Sequence, residues 1–275
     1  MIGTKLGIYS QQNQATVSLL LDTYPATAAY SLRKIRTAYS GSAIRVRRSL
    51  DNAEQDIGFD GSNNLDTSSL LSFVGANNGF VTTWYDQQGS DNATNVTAAQ
   101  QPQIVSSGSV IYEGSLPTLD FAGAQQLIKS STALSDVSLF TVMTSNNASS
   151  EMTAINLQDG TNTCFLHLNR STNNSLVYGS YNGTAVSQEG GNISGQLLAS
   201  GFSISNSSAN LFIDGVDVNQ AYLGRSNFGN STIGSRSGSF WLTGNVSEFI
   251  YYNSSQSANR TAIEANINSY YSIYP

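Results

Sequence analysis

The sequence predicts an all-β fold: an antiparallel β-sandwich of the jelly-roll kind with a few short helices, one of them at the C-terminus. Three observations carry that expectation. From Val105 onward the chain is a succession of short strand-like segments, among them SVIYEG, VSLFTVMTS, TCFLHLNR and SFWLTGNVSEFIYYN, parted by Gly, Asn and Asp. Regular spacing of that kind is the signature of a sandwich. Asp214-Gly215 stands between LFI and VDV, the residue pair a tight hairpin turn needs. The 275 residues are 39% hydrophobic and 10% aromatic, enough to bury one large core.

Taken in order, residues 1–27 read as an N-terminal arm or anchoring segment and 28–275 as a single domain. Met1 to Tyr9 is strand-like, and Ala15 to Leu21 carries an apolar run that is either a first strand or part of the arm. From Ala28 to Tyr39, Tyr30, Leu32, Ile35 and Tyr39 fall near helical spacing and predict a helix. Ile44 and Val46 alternate with Arg45 and Arg47, the pattern of a half-buried strand. Asp56–Phe59 predicts a short strand. Leu65–Val74 predicts a helix that Asp66 can cap, and Phe80–Tyr85 a strand ending in the polar loop 86–92. At the far end, Ser257 is a candidate helix cap, with Ile263, Ile267, Tyr270 and Tyr271 as the apolar stripe behind it.

Charge narrows the function classes. Only 11% of residues are charged and the net charge is −6, so a general nucleic-acid-binding face is disfavoured. Arg33, Lys34, Arg36, Arg45, Arg47 and Arg48 are half of the twelve basic residues. They read either as the outer faces of ordinary elements or as a contact for another subunit or an acidic glycan. No apolar run is long enough for a signal peptide or a membrane span. The Asn-x-Ser/Thr triplets at Asn92, Asn182, Asn245 and elsewhere are accordingly read as a product of composition. A single cysteine, Cys164, forms no intrachain disulfide.

The stretch from Ala29 to Val105 is more specific. It contains AYSLRKIRTAYSGSAIRVRRS, DNAEQDIGFDG, GFVTTWYDQQGSDNAT and AAQQPQIV. It resembles the opening part of the catalytic domain of α-L-arabinofuranosidase B and of bacterial and phage proteins sharing that segment. The closing LTGNVSEFIYYNSSQSANRTAIEANINSYYSIYP is similar to the end of laminin-G-like and concanavalin-like domains. The resemblance implies a concanavalin-like sandwich whose business is carbohydrate.

A glycosidase needs two carboxylates flanking the bond. The family resemblance implies two adjacent cysteines in the sugar pocket, where this chain has only Cys164, and an Asp before the last strand, where Gly234-Ser235-Arg236-Ser237-Gly238 has no carboxylate. The acidic nucleophile motif that the resemblance implies has no clear counterpart either; Gln188-Glu189-Gly190-Gly191 is the nearest by composition alone. Glu248 reads chiefly as structural and Glu264 as solvated. His167 is the only histidine, and alternation places it on the strand face opposite Cys164.

Trp84, Tyr85, Asp86, Gln87 and Asp91 are the candidate ligand residues. Either Asp86 and Gln87 tie down a turn, or an aromatic ring and planar polar groups bind sugar hydroxyls. Calcium is a minor option there and at Asp60–Asn64 and Asp214–Asp217; otherwise no metal or cofactor is expected. The sequence reading that follows is a non-catalytic virion structural protein of a phage: a tail, fibre or capsid-decorating component at the virion surface. It would bind other virion proteins through its N-terminal segment, display a sandwich that can bind host glycan, and form a homo-oligomer aided by Tyr270, Tyr271 and Tyr274. The alternative is a glycoside hydrolase of the α-L-arabinofuranosidase type acting on polysaccharide.

Overall fold

The computed structural model describes residues 18–130, 134, 136–146, 150–159, 163–168, 175–181, 185–190, 193, 195–204, 208–218, 220–221, 230–236 and 238–275. The expected strand over Met1–Tyr9 lies outside them. Two antiparallel layers face each other. One layer runs through Glu54–Ile57, Ile44–Arg48, Gly79–Trp84, Ala93–Thr94, Leu127–Ile128, Thr232–Ile233, Met152–Gln158, Thr163–Leu168, Leu176–Tyr181 and Ala185–Gly190. The other runs through Ala28–Ser31, Thr243–Tyr252, Val137–Ser145, Gly195–Ile204 and Ser208–Ile213. The strands Gln103–Ser106 and Leu119–Ala122 stitch the layers into one hydrogen-bonded network.

Period-two patterning explains the layering. Ile44, Val46, Val81 and Trp84 enter the core from the first layer, and Tyr30, Leu139, Phe249 and Tyr251 from the second. Rings bridge the gap. Tyr30 meets Trp84 with centroids 6.0 Å apart. Tyr178 donates to Ser203 Oγ at 2.9 Å and lies over Gly201, where a Cβ would strike its ring. The second layer is buried on both faces, as its continuous Val/Leu/Phe/Ile runs require. Phe140, Val142, Leu198 and Ile250 point away from the core into a second cluster with Leu20, Leu21 and the C-terminal helix Arg260–Tyr271, through Ile263, Ile267 and Tyr271.

Several sequence expectations change. Ala28–Tyr39 is not a helix: Ala28–Ser31 is a strand pairing with Phe249, Ile250 and Tyr251, and 32–39 is irregular. Its apolar spacing fits a strand buried on both faces equally well. The terminal helix is preceded by Asn259, not Ser257. Glu264 is buried rather than solvated, and Tyr271 is an internal core residue with Tyr270 and Tyr274 packed on the same cluster. The helix Thr67–Val74 does begin at Asp66, whose Oδ1 accepts from Ser69 N at 2.9 Å. Asp214 and Gly215 turn with φ of 52° and 76°, joining Ser208–Ile213 to Val216–Asp217.

Candidate functional site

Trp84, Tyr85, Asp86, Gln87 and Asp91 are brought together, and their polar atoms go largely to the fold itself. Trp84 is fully buried against Tyr30 and presents no exposed ring. Asp86 is buried; Oδ1 accepts from Ala29 N and Gln88 N, each at 2.9 Å, and Oδ2 from Gly89 N at 3.0 Å. Burial pushes its carboxyl up from the ordinary range, against the pull of those backbone N–H groups. Gln87 accepts from Ile35 N at 2.9 Å and donates to the carbonyls of Ser31 and Arg33 at 3.0 and 2.8 Å. Tyr85 is half-buried and its hydroxyl donates to Asp56 Oδ1 at 2.7 Å; burial raises its phenol to about 12. Asp91 Oδ2 lies 2.7 Å from the buried Lys129 Nζ. The calcium options fare similarly: Asp60 Oδ1 accepts from Ser62 N and Asn64 N within its own turn, and Asp214 Oδ1 from Leu198 N. Among the described residues no group of three or more His, Cys, Asp or Glu is placed to hold a metal.

A different constellation lies on the outer face of the first layer. Antiparallel register aligns Thr153, His167, Val177 and Glu189 across four neighbouring strands. Opposed residues share a face, so His167 and Glu189 point to the same side. Cys164, Leu166 and Leu168 point inward; Cys164 Sγ lies 3.5 Å from Tyr178 Oη, and burial lifts its thiol to about 12. Cys164 and His167 are therefore on opposite faces and form no nucleophile pair.

Glu151, one residue before its strand, brings a second carboxylate to this face: Oε1 is 3.4 Å from His167 Nδ1. Thr153 Oγ1 stands 3.3 Å from His167 Nε2. Ser175 Oγ donates to Glu189 Oε1 at 2.6 Å. His167 itself is buried, whereas Glu189 is half-exposed and the Glu151 side chain keeps a fifth of its surface, 21%. Both glutamate side chains keep part of their surface, Glu151 through atoms other than the buried Oε1 that faces His167, and the imidazole stands behind it.

Aromatic packing fixes the geometry. The Phe165 and His167 rings meet edge-on at 4.9 Å, and Phe165 lies over Gly179, where any Cβ would collide with its ring. Phe240 and Arg236 close over the face from the side. The Phe240 carbonyl accepts from Thr153 N at 2.8 Å, its ring lies 6.0 Å from His167, and Arg236 stacks on that ring at 3.9 Å. Arg236 is what the stretch without a carboxylate contributes instead.

Glu248 is elsewhere. It is buried at the junction of the second layer and the terminal helix, where Arg33 Nε and Nη2 grip it at 2.9 and 3.1 Å and Ser31 Oγ donates at 2.6 Å. Periodicity had already placed His167, and composition had flagged Glu189. Glu151 was missed because it precedes its strand and bears no motif.

No family model matches the chain, and no curated protein matches its sequence. Solved structures do match. An arabinofuranosidase complexed with arabinofuranosyl-α-1,2-xylobiose superposes with a TM-score of 0.61 at 15% identity, over 88% of this chain and 62% of that one. A GH54 α-L-arabinofuranosidase soaked with a cyclic sulfate inhibitor gives 0.57 at 13% identity over the same shares. At such identities the likeness is one of fold, and this chain spans less than two thirds of those proteins' length. The matches nevertheless overturn the expectation of a phage tail, fibre or capsid-decorating protein. They are carbohydrate-active enzymes, and the arabinofuranosidase alternative fits them better.

Proposed function

We propose that this chain is a glycoside hydrolase of the arabinofuranosidase type, acting on arabinose-bearing polysaccharide through Glu151 and Glu189. The observation that carries the reading is the placement of two partly exposed glutamate side chains on one face of one sheet, with His167 held against the first. The fold shared with arabinofuranosidases supports it. Glycoside hydrolysis needs one carboxyl to protonate the leaving oxygen and a second to attack the sugar or activate water. Glu151 is assigned the proton-transferring role, because His167 Nδ1 is its immediate neighbour. Glu189, oriented by Ser175, is the second carboxylate.

The test is release of 4-nitrophenol from 4-nitrophenyl α-L-arabinofuranoside by the purified chain and its Glu151→Gln and Glu189→Gln variants. The wild type should turn over, and each variant should lose about a hundred- to ten-thousand-fold in kcat while melting as the wild type does. Absence of turnover by the wild type, or full activity in either variant, refutes the assignment.

A further inference from the structure

The same sheet face carries a second cleft. Following the register outward from Phe165, the directly opposed residues are Asn156, Thr232, Ile128, Thr94, Thr83, Arg45 and Asp56. All therefore belong to the side that bears Glu189. At the far end of this row is a cavity of about 340 Å³ lined by Arg45, Arg47, Glu54, Thr83, Thr94 and Val96 among others. Its nearest strand, that of Thr94, lies four strand spacings from the His167 strand, about 19 Å, and Arg45 six, about 29 Å, a separation that an oligosaccharide spans and a single sugar does not.

The cleft is built rather than incidental. Buried Asn95 and Gln101 form its floor: Asn95 Nδ2 donates to the Gln126 carbonyl at 2.8 Å, and Gln101 Nε2 to the Asn95 carbonyl at 2.9 Å. Gln101 Oε1 in turn accepts from Arg47 Nε at 2.7 Å. Arg47 also donates to Asn52 Oδ1 at 2.9 Å and to the Ala98 carbonyl at 3.3 Å, and lies 5.0 Å over the Phe80 ring. The guanidinium is thus fixed by three neutral acceptors and a ring, leaving two of its five N–H groups for a ligand. Val96 stands at the rim, 97% exposed, an apolar surface that the fold leaves uncovered.

Charge selects the occupant. Arg45 is neutralised by the bidentate Asp56 at 2.7 and 2.8 Å, and Arg47 faces Glu54 across the strand pair. A cleft so balanced, and rich in Thr, Asn and Gln, suits a neutral, hydroxyl-rich chain and not a polyanion. We propose that this cleft is a distal glycan subsite that holds the neutral backbone of the same polysaccharide whose side groups reach Glu151 and Glu189. The proposal rests on the hydrolase reading for its substrate.

Its experiment reads binding apart from turnover. Affinity electrophoresis in neutral arabinose-bearing xylan and in polygalacturonate is run on the wild type, Arg47→Ala and Thr94→Arg, beside kcat/KM on 4-nitrophenyl α-L-arabinofuranoside. Thr94 is exposed, so Thr94→Arg obstructs the cleft without touching the Arg47 hydrogen bonds. Both variants should bind xylan about tenfold more weakly with small-substrate turnover unchanged. The proposal is overturned by unchanged xylan affinity in both variants, by no wild-type xylan binding, or by a preference for polygalacturonate. Cleft-dependent xylan binding by a wild type that hydrolyses nothing would support the subsite and refute the hydrolase reading alone.

Discussion

At the residue scale, the most consequential interaction outside the candidate site is Arg33 with Glu248. Both are buried, and the guanidinium also lies 4.9 Å over the Tyr270 ring and donates to Asn266 Oδ1 at 3.1 Å. Arg33 thereby joins the irregular segment after the first strand to the last strand and the terminal helix. A buried pair is costly to assemble, and removing one partner strands the other charge. Glu248→Ala should therefore lower unfolding stability by about 3–5 kcal/mol, read as a shift in urea midpoint at constant slope. A loss within 0.5 kcal/mol of zero, on the order expected of a surface site, would contradict that role. The sequence hinted at this, since Glu248 reads there chiefly as structural. Arg33, its partner 215 residues away, could not be paired with it from the sequence, since nothing local connects two segments so far apart in the chain.

At the element scale, the Asp86–Asp91 loop acts as a clamp on the strand Ala28–Ser31 and the irregular segment after it. Gln87 satisfies three backbone groups there, the Ile35 N–H and two carbonyls. Gln87→Ala leaves them buried without partners, so it should cost at least about 2 kcal/mol. The Ile35 amide should then exchange with solvent faster than amides of the strand Val137–Ser145. Equal protection of Ile35 in variant and wild type would show that the clamp is not what holds it. This clamp also explains which elements were legible. The alternation in Ile44–Arg48 and the cap at Asp66 are local, and both read correctly. The 28–39 segment misled because its conformation is imposed by a side chain more than fifty residues away. The candidate site divides the same way: strand alternation revealed which way His167 faces, but its meeting with Glu151 and Glu189 depends on strand order, which is non-local.

At the scale of the whole molecule, the carboxyls fall into two sets with opposite effects on stability. Asp86, Asp120, Asp214 and Glu264 are all raised, with burial the leading cause in each. Asp22, Asp51, Asp56 and Asp66 are lowered, chiefly by hydrogen bonds from Thr37, Arg48, Arg45 and Ser69 respectively. A raised carboxyl favours the folded state while protonated. Its contribution is complete below the ordinary value, 3.8 for Asp and 4.5 for Glu, and is lost as pH rises through the raised one. A lowered carboxyl does the reverse, its contribution being lost only as pH falls below 3.8. The lowered set is exposed or half-exposed and screened by solvent, whereas Asp86 and Glu264 are buried, so the raised set dominates above the ordinary range. Self-repulsion adds in the same direction, since the net charge is −6 at pH 7 and the pI is about 4.6. The melting temperature should therefore peak near the pI and decline toward pH 8 or so, the opposite of a protein stabilised mainly by surface ion pairs. Calorimetric melts across that range decide the matter. Glu264→Gln removes one buried ionisation and should flatten the decline, and a melting temperature that instead climbs steadily from the pI to alkaline pH would mean the exposed set governs.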